Sequence, residues 1–291
     1  MDRTICSLNV RGLSNKIKRN QVFQWLKDNN FSICLLQETH VSKQNIEQCK
    51  NDWNSECYFS GNFTNKEGVA ILFNPNCNVN VRSIHEILVG RIFGILLTID
   101  NKDLLIINVY GPNKDEPIFF QILENFVNEN HDQNIIVGGD FNTFIDSKLD
   151  KKNGNPSLHK QSRQCITNMM NTCNLFDVWR QDHPQKKQYT WHSNTKPCIH
   201  SRLDYFLVSS YMQNICKSSN ITPGFKTDHC LISLKLNFNA IKRGPGYFKI
   251  NNSILLRSDY QEQIRETITN TLQFNKDTNP VTFWDILKGN I

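Results

Sequence analysis

A chain of 291 residues, 38% hydrophobic and 21% charged, has apolar surface for one large core or two ordinary ones, which excludes wholesale disorder. The net charge of +6 suits a polyanionic partner without demanding one. The ten cysteines are scattered, with no CxxC pair, so reduced and mostly buried thiols are expected rather than a disulfide framework or a zinc site.

In chain order, runs rich in Ile, Val, Leu and Phe predict strands, and apolar residues at helical spacing predict helices. A strand over residues 4–10 is followed by a helix over 15–29, carried by Ile17, Val22, Trp25 and Leu26. Strands are predicted over 31–37, 68–73, 92–99 and 103–110. Phe119, Phe120, Leu123, Phe126 and Val127 then place a helix over 116–130. A strand over 134–139 precedes a helix over 158–174, marked by Ile166, Met169, Met170 and Cys173, and strands over 202–209 and 230–238 follow. Strands that alternate partly with helices and partly with each other imply two sheets packed face to face with helices outside, an α/β sandwich. The segments 148–163 and 210–226 carry no interpretable pattern.

Near residue 240 the composition changes. Gly244, Pro245 and Gly246 read as a linker after a domain spanning 1–239. In the following segment, 240–291, Tyr260, Ile264, Ile268 and Leu272 mark a helix over 258–274, and Pro280 marks another helix start. A longer natural polypeptide is expected. The stretch MDRTICSLNV does not read as a signal peptide, and no apolar run approaches the ~18 residues of a membrane span.

Five motifs place polar side chains at strand ends, where a rigid scaffold presents groups to a cleft. SLNVRG carries Asn9, LLQETH carries Glu38, INVYGP carries Tyr110, GGDFN carries Asp140 and Asn142, and KTDHC carries Asp228 and His229. Each taken alone has an ordinary reading as a turn or strand-end residue. In this order they are hard to explain separately. The set LNVRG, LLQETH, NVYGP, GGDFN, SRLDYFLVS and TDHCLI, running through residues 4–238, resembles the endonuclease/exonuclease/phosphatase superfamily. That superfamily includes exonuclease III-type abasic-site endonucleases, DNase I and the endonuclease domains of LINE retrotransposons.

The resemblance implies a DNase I-like four-layer α/β sandwich, two mixed sheets flanked by helices, and phosphodiester hydrolysis with Mg²⁺ or Mn²⁺. It assigns the metal to Glu38, with Asn9 and Asp228 beside it. Asp140 would align or deprotonate the attacking water, and Asn142 would hold the water or a phosphate oxygen. His229 would donate to a non-bridging oxygen, its tautomer fixed by Asp204. Tyr110, Thr190 and Arg11 would face the phosphate. Gly138 and Gly139 would clear space for substrate or backbone. Arg11 stands where abasic-site endonucleases carry an acid, which speaks against a two-carboxylate metal shell.

QETH and the segment 243–291 are most similar to LINE proteins. On that resemblance the enzyme is a monomeric endonuclease domain that nicks double-stranded DNA in the nucleus. It leaves a 3′-hydroxyl for target-primed reverse transcription, meets element RNA through the rest of a polyprotein, and uses no membrane. Lys16, Lys18, Arg19 and the segment 148–155 would contact the DNA backbone. Other readings of the same motifs are a stand-alone abasic-site repair enzyme, a phosphatase acting on inositol phosphates or sphingomyelin, and an inactive DNA-binding remnant.

Overall fold

All eight apolar runs form strands in a computed structural model of the protein, which describes residues 2–61, 67–238, 257–275 and 279–290. The elements in order are β1 (Asp2–Asn9), α1 (Lys16–Asp28), β2 (Ile33–Gln37), α2 (Ile46–Trp53), β3 (Cys57–Ser60), β4 (Val69–Phe73), β5 (Val79–Leu88) and β6 (Ile92–Ile99). They continue with β7 (Lys102–Tyr110), α3 (Pro117–Glu129), β8 (Ile135–Asp140), β9 (Lys151–Lys152), α4 (Lys160–Thr172), β10 (Leu175–Asp177), α5 (Val178–Asp182) and β11 (Trp191–His192). The last are β12 (His200–Ser201), β13 (Asp204–Ser209), β14 (Cys216–Thr222), β15 (Leu231–Asn237), α6 (Ser258–Phe274) and α7 (Pro280–Asn290).

One six-stranded sheet has the order β14-β15-β1-β2-β4-β3, and the other β10-β13-β8-β7-β6-β5. In each, one central pair is parallel, β1 with β2 and β7 with β8, and its neighbours are antiparallel. Both sheets are therefore mixed, and the structure is the α/β sandwich expected.

The strands read as continuous apolar runs because both faces are covered. In β2, Ile33 and Leu35 point into the core between the sheets, where they join Ile5, Ile71, Ile106, Ile136 and Phe206. Cys34 and Leu36 point the other way, against Val22, Phe23 and Leu26 of α1 and Trp53 of α2. On the far side, Phe120, Leu123 and Val127 of α3 and Ile166 and Met169 of α4 cover Leu105, Ile107 and Val137. This alternation of side chains across a pleated strand builds four layers from two sheets.

Two expectations need correction, and a third holds for Gly139, which admits the Val109 backbone, but not for Gly138, which admits side chains. Ile17 is 70% exposed, and α1 buries Arg19, Val22, Phe23 and Leu26 instead. Arg19 is 1% exposed, with its guanidinium on Asp52 and on the Leu13 carbonyl, so it is a core clamp and not a DNA contact. Gly138 and Gly139 make room for the protein itself. A Cβ on Gly138 would lie 2.5 Å from Phe206 and 2.8 Å from Leu35, and one on Gly139, at φ +148°, would lie 2.0 Å from the Val109 carbonyl oxygen.

Residues 210–226, unreadable in the sequence, supply β14 at a sheet edge. The unpredicted β5 is likewise an edge strand, half-buried and exposed by turns. The ten cysteines are free, and Cys6, Cys34, Cys49, Cys57 and Cys77 are buried. Among the described residues no helix is long and apolar enough to cross a membrane.

The chain divides into two compact units, residues 1–240 and 241–291. The expected linker at Gly244–Gly246 lies outside the described residues. In the second unit α6 packs on α7, with Tyr260, Ile264 and Ile268 half-buried and Thr271 buried, while Leu272 is exposed.

Candidate active site

Strand direction gathers the site. β1 and β2 run parallel and end together at Asn9 and Gln37, next to Glu38. In the other sheet β7 and β8 run parallel and end together at Tyr110 and Asp140. β13 is antiparallel to β8, so its first residue, Asp204, lies opposite Asp140. The segment leading into β15 brings Asp228 and His229 to the same end. Groups spread along the chain thus meet at one rim of the sandwich.

A continuous hydrogen-bonded line joins them. Tyr110 donates its hydroxyl to Glu38 Oε1 at 2.9 Å, and Asn9 Nδ2 donates to the same oxygen at 3.0 Å. Asn9 Nδ2 also donates to Asp140 Oδ2 at 2.9 Å, which ties the two carboxylates to one amide. His229 Nε2 lies 3.8 Å from Asp140 Oδ2, and its Nδ1 lies 3.0 Å from Asp204 Oδ2. Asp140 Oδ1 accepts from the Asn142 backbone N–H at 2.8 Å, and the Asn142 side-chain amide donates to the Gly111 carbonyl at 2.9 Å. Glu38 and Asn142 both hold φ +50°, a conformation that costs energy outside glycine and persists where the surroundings fix it.

The electrostatics follow from burial. Asp140 is fully buried, and desolvation with the neighbouring Asp204 pushes its pKa to about 7, against the opposing pull of His229 and Asn9. Burial disfavours the His229 cation, but Asp204 and Asp140 overcome it and raise the imidazole to about 10. Tyr110 is raised by burial and by Glu38, which keeps its phenol protonated as a donor.

Asp228 has its own partners. Arg11 Nη1 lies 3.1 Å from Asp228 Oδ2, and the indole Nε1–H of Trp191 donates to the same oxygen at 3.2 Å. Arg11, Glu38, Asn142, Trp191, Asp228 and His229 line a cleft of about 450 Å³. Thr190 departs from its expected place. It is fully buried, and its hydroxyl accepts from the backbone N–H groups of Leu203 and Asp204 at 2.9 and 3.2 Å. Thr190 therefore pins the strand that carries Asp204 and presents no group to the cleft.

Oxygen-rich groups at this end fit a hard cation. Glu38 Oε1 already accepts two hydrogen bonds, whereas Oε2 has, among the described residues, only the His40 Nε2 at 3.5 Å, and the side chain remains 22% exposed. Asp140, Asp204 and His229 offer ligand atoms within 4.8 Å of one another, close enough for a metal to bridge. They are buried, however, and already satisfy each other. Mg²⁺ keeps several waters, so the half-open Glu38 suits it better.

Sequence reasoning missed the support beneath the site. Arg202, 1% exposed, donates through Nε to Asp150 at 2.8 Å and through Nη2 to Asp177 at 2.6 Å, and Arg180 also pairs with Asp150. The Arg202 guanidinium lies against the rings of Trp179 and Tyr205. Between the sheets, buried Gln37 donates to Asn108 at 2.7 Å, one residue before Glu38. The position of Arg202 inside SRLDY, between Ser201 and Asp204, was the available signal for the first. Gln37 inside QET was the signal for the second.

Residues 6–229 match the endonuclease/exonuclease/phosphatase family, and the chain belongs to that family. It is 25% identical over 293 residues to the transposon TX1 149 kDa protein of Xenopus laevis, covering 99% of this chain but only 22% of that protein. It is 24% identical over 264 residues to the exodeoxyribonuclease of Bacillus subtilis, covering 80% of this chain and 99% of that enzyme. Among solved structures, a 3′ phosphatase of Neisseria bound to a product DNA hairpin superposes with a TM-score of 0.67 at 22% identity, over 81% of this chain and 100% of that one. An AP endonuclease of Archaeoglobus fulgidus gives 0.66 at 19% identity, over 81% and 99%. These superpositions establish the DNase I-like fold.

Proposed function

We propose that this chain is a metal-dependent DNA endonuclease. It nicks one strand of double-stranded DNA and leaves a 3′-hydroxyl that primes reverse transcription of a LINE-type element. The observation that carries the reading is the convergence of Glu38 and His229 on one cleft, with Asp140 buried behind them, tied to Glu38 through Asn9 and 3.8 Å from His229 Nε2.

Water attacks phosphorus, the bond to O3′ breaks, and the products are a 5′-phosphate and a 3′-hydroxyl. Asp140, with a pKa near neutrality, would take the proton from that water once substrate is bound. The Asn142 backbone holds the Asp140 carboxylate, and its side chain faces the cleft. His229, a cation at neutral pH and steadied by Asp204, presents Nε2–H to a non-bridging oxygen as charge builds there. Tyr110 and Asn9 hold the Glu38 carboxylate through Oε1, and its second oxygen would hold a metal. Mg²⁺ or Mn²⁺ there would neutralise the phosphate and the departing oxygen. Asp228 paired with Arg11 also lines the cleft. Backbone contacts fall to Lys16 and the 148–155 segment.

The match to the Xenopus transposon protein runs through nearly the whole chain, second unit included, and supports the retrotransposon role. On this reading the chain acts in the nucleus within a longer polyprotein, whose other parts bind element RNA and copy it. The near full-length match to the Bacillus enzyme favours a second reading, a stand-alone DNA repair enzyme.

Incubation of supercoiled plasmid with Mg²⁺ separates the outcomes. Open circles with extendable 3′-hydroxyl ends, abolished by EDTA and restored by Mg²⁺, are expected. Full activity in EDTA would refute the metal assignment. A strong preference for abasic over intact duplex would transfer the chain to repair.

A further inference from the structure

Arg11 occupies the turn that leaves β1, at φ +47°, and this turn is fixed from several sides. Its N–H donates to Asn9 Oδ1 at 3.0 Å, and Gly12 N–H donates to the Glu38 carbonyl at 2.7 Å. The Lys18 ammonium donates to the Val10 and Arg11 carbonyls at 2.7 and 2.9 Å. The Arg11 backbone is thereby locked to Glu38 and Asn9, while its side chain remains 63% exposed. From there the guanidinium reaches Asp228 at 3.1 Å, on an oxygen that the Trp191 indole also caps.

The cleft therefore has two rim carboxylates in different states. Among the described residues Glu38 keeps an oxygen whose nearest donor is His40 Nε2 at 3.5 Å, whereas the charge of Asp228 is already balanced by a guanidinium and an indole N–H. A second divalent ion approaching Asp228 would have to displace that guanidinium and then sit beside its positive charge. The guanidinium is itself a planar fork suited to phosphate oxygens and cannot be deprotonated.

We propose that Arg11 is a fixed cation standing in for a second divalent ion. It closes Asp228 to metal, limits the cleft to a single ion at Glu38, and offers its free N–H groups to the scissile phosphate. This rests on the metal-dependent hydrolase reading given above. Arg11 and Trp191 together form the neutralised wall, and Glu38 the ion-binding one. Because the turn is pinned to Asn9 and Glu38, the Arg11 backbone would stay in place while substrate enters.

Calorimetric titration of the DNA-free protein with Mn²⁺ reads the inference without activity. The wild type should bind a single equivalent, and Asp228→Asn should leave that affinity within about twofold, as expected for a non-ligand. Arg11→Asp should gain a second equivalent, lost again in the Arg11→Asp/Asp228→Asn double variant. Aspartate tolerates the positive φ at this exposed turn, so the fold should be retained. Binding of duplex DNA in EDTA supplies the second arm: Arg11→Ala should lower the slope of log K against log salt by about 0.9, the value for one lost phosphate contact. Two equivalents on the wild type, an Arg11→Asp variant that still binds one, or a tenfold loss in Asp228→Asn would each overturn the proposal. Absence of any Mn²⁺ binding would instead remove the metal reading on which it stands. An unchanged salt slope in Arg11→Ala would overturn the phosphate contact.

Discussion

Asp140 and Asp150 are both fully buried, yet burial leaves their carboxyls on opposite sides of the ordinary value. Asp140 is pushed up to about 7, because desolvation and Asp204 outweigh one imidazole and the hydrogen bonds from Asn9 and Asn142. Asp150 is also penalised by burial, but Arg202 and Arg180 outweigh the penalty and hold it below its usual range. One cluster has guanidinium partners for its acids and is chemically quiet. The other has two acids that share one histidine and no guanidinium. Burial alone does not make a carboxylate reactive; the balance of its partners does.

Removing a partner should break the quiet cluster first. Arg202→Ala leaves Asp150 and Asp177 buried with Arg180 alone, and should cost about 3–5 kcal/mol in a urea unfolding titration. A loss below about 1 kcal/mol would mean that the arginine does not hold this part of the fold together. The reactive cluster should behave in the opposite way. Asp140→Asn is close in shape and relieves a strained acid, so stability should hold or rise while nicking falls at least ~10²-fold, equivalent to about 2.7 kcal/mol of barrier. Wild-type nicking by that variant would show the wrong residue has been given the proton.

A smaller effect tests the pin between the two clusters. Thr190→Val leaves the Leu203 and Asp204 N–H groups without their shared acceptor and should cost about 1–3 kcal/mol. Recovery in Thr190→Ser distinguishes this hydroxyl role from simple packing.

The gentlest contrast is in pH, measured on metal-free protein. His229, raised to about 10 from 6.5, contributes stability that is complete below 6.5 and lost as pH rises toward 10. Asp140, raised to about 7 from 3.8, also lowers stability as pH rises, across 3.8 to 7, because the unfolded chain ionises first. Asp150, depressed below 3.8, contributes stability present above that value and lost as pH falls further. Unfolding midpoints should therefore fall toward both extremes, with the alkaline loss reduced in His229→Gln and the acid loss reduced in Asp150→Asn. An alkaline limb unchanged in His229→Gln would remove the histidine from that account.

The legible parts of the chain share a property. The eight strands covered on both faces announce themselves as apolar runs, and helices α3 and α4 by the spacing of their buried residues. The strand-end residues Asn9, Glu38, Tyr110, Asp140, Asn142 and Asp204 could be named because their motifs stand at the ends of such runs. Edge strands β5 and β14 were illegible because one side of the ladder faces no neighbour and their polar residues mask the period. Thr190, Arg19 and Gly138 were misread for another reason. What each does is set by a partner distant in sequence, such as Asp52 for Arg19 or Leu35 for Gly138.

The order of residues by itself fixed which segments had to be buried, and so the layers of the sandwich and the chemical types gathered at its rim. Only the folded arrangement decided which charges meet: Arg202 with Asp150 and Asp177, Arg11 with Asp228, His229 with Asp204 and Asp140. Burial follows a local pattern that any short stretch carries. Charge pairing acts over a few ångströms between groups from separate strands, and it comes into being when parallel and antiparallel registers bring those strand ends together.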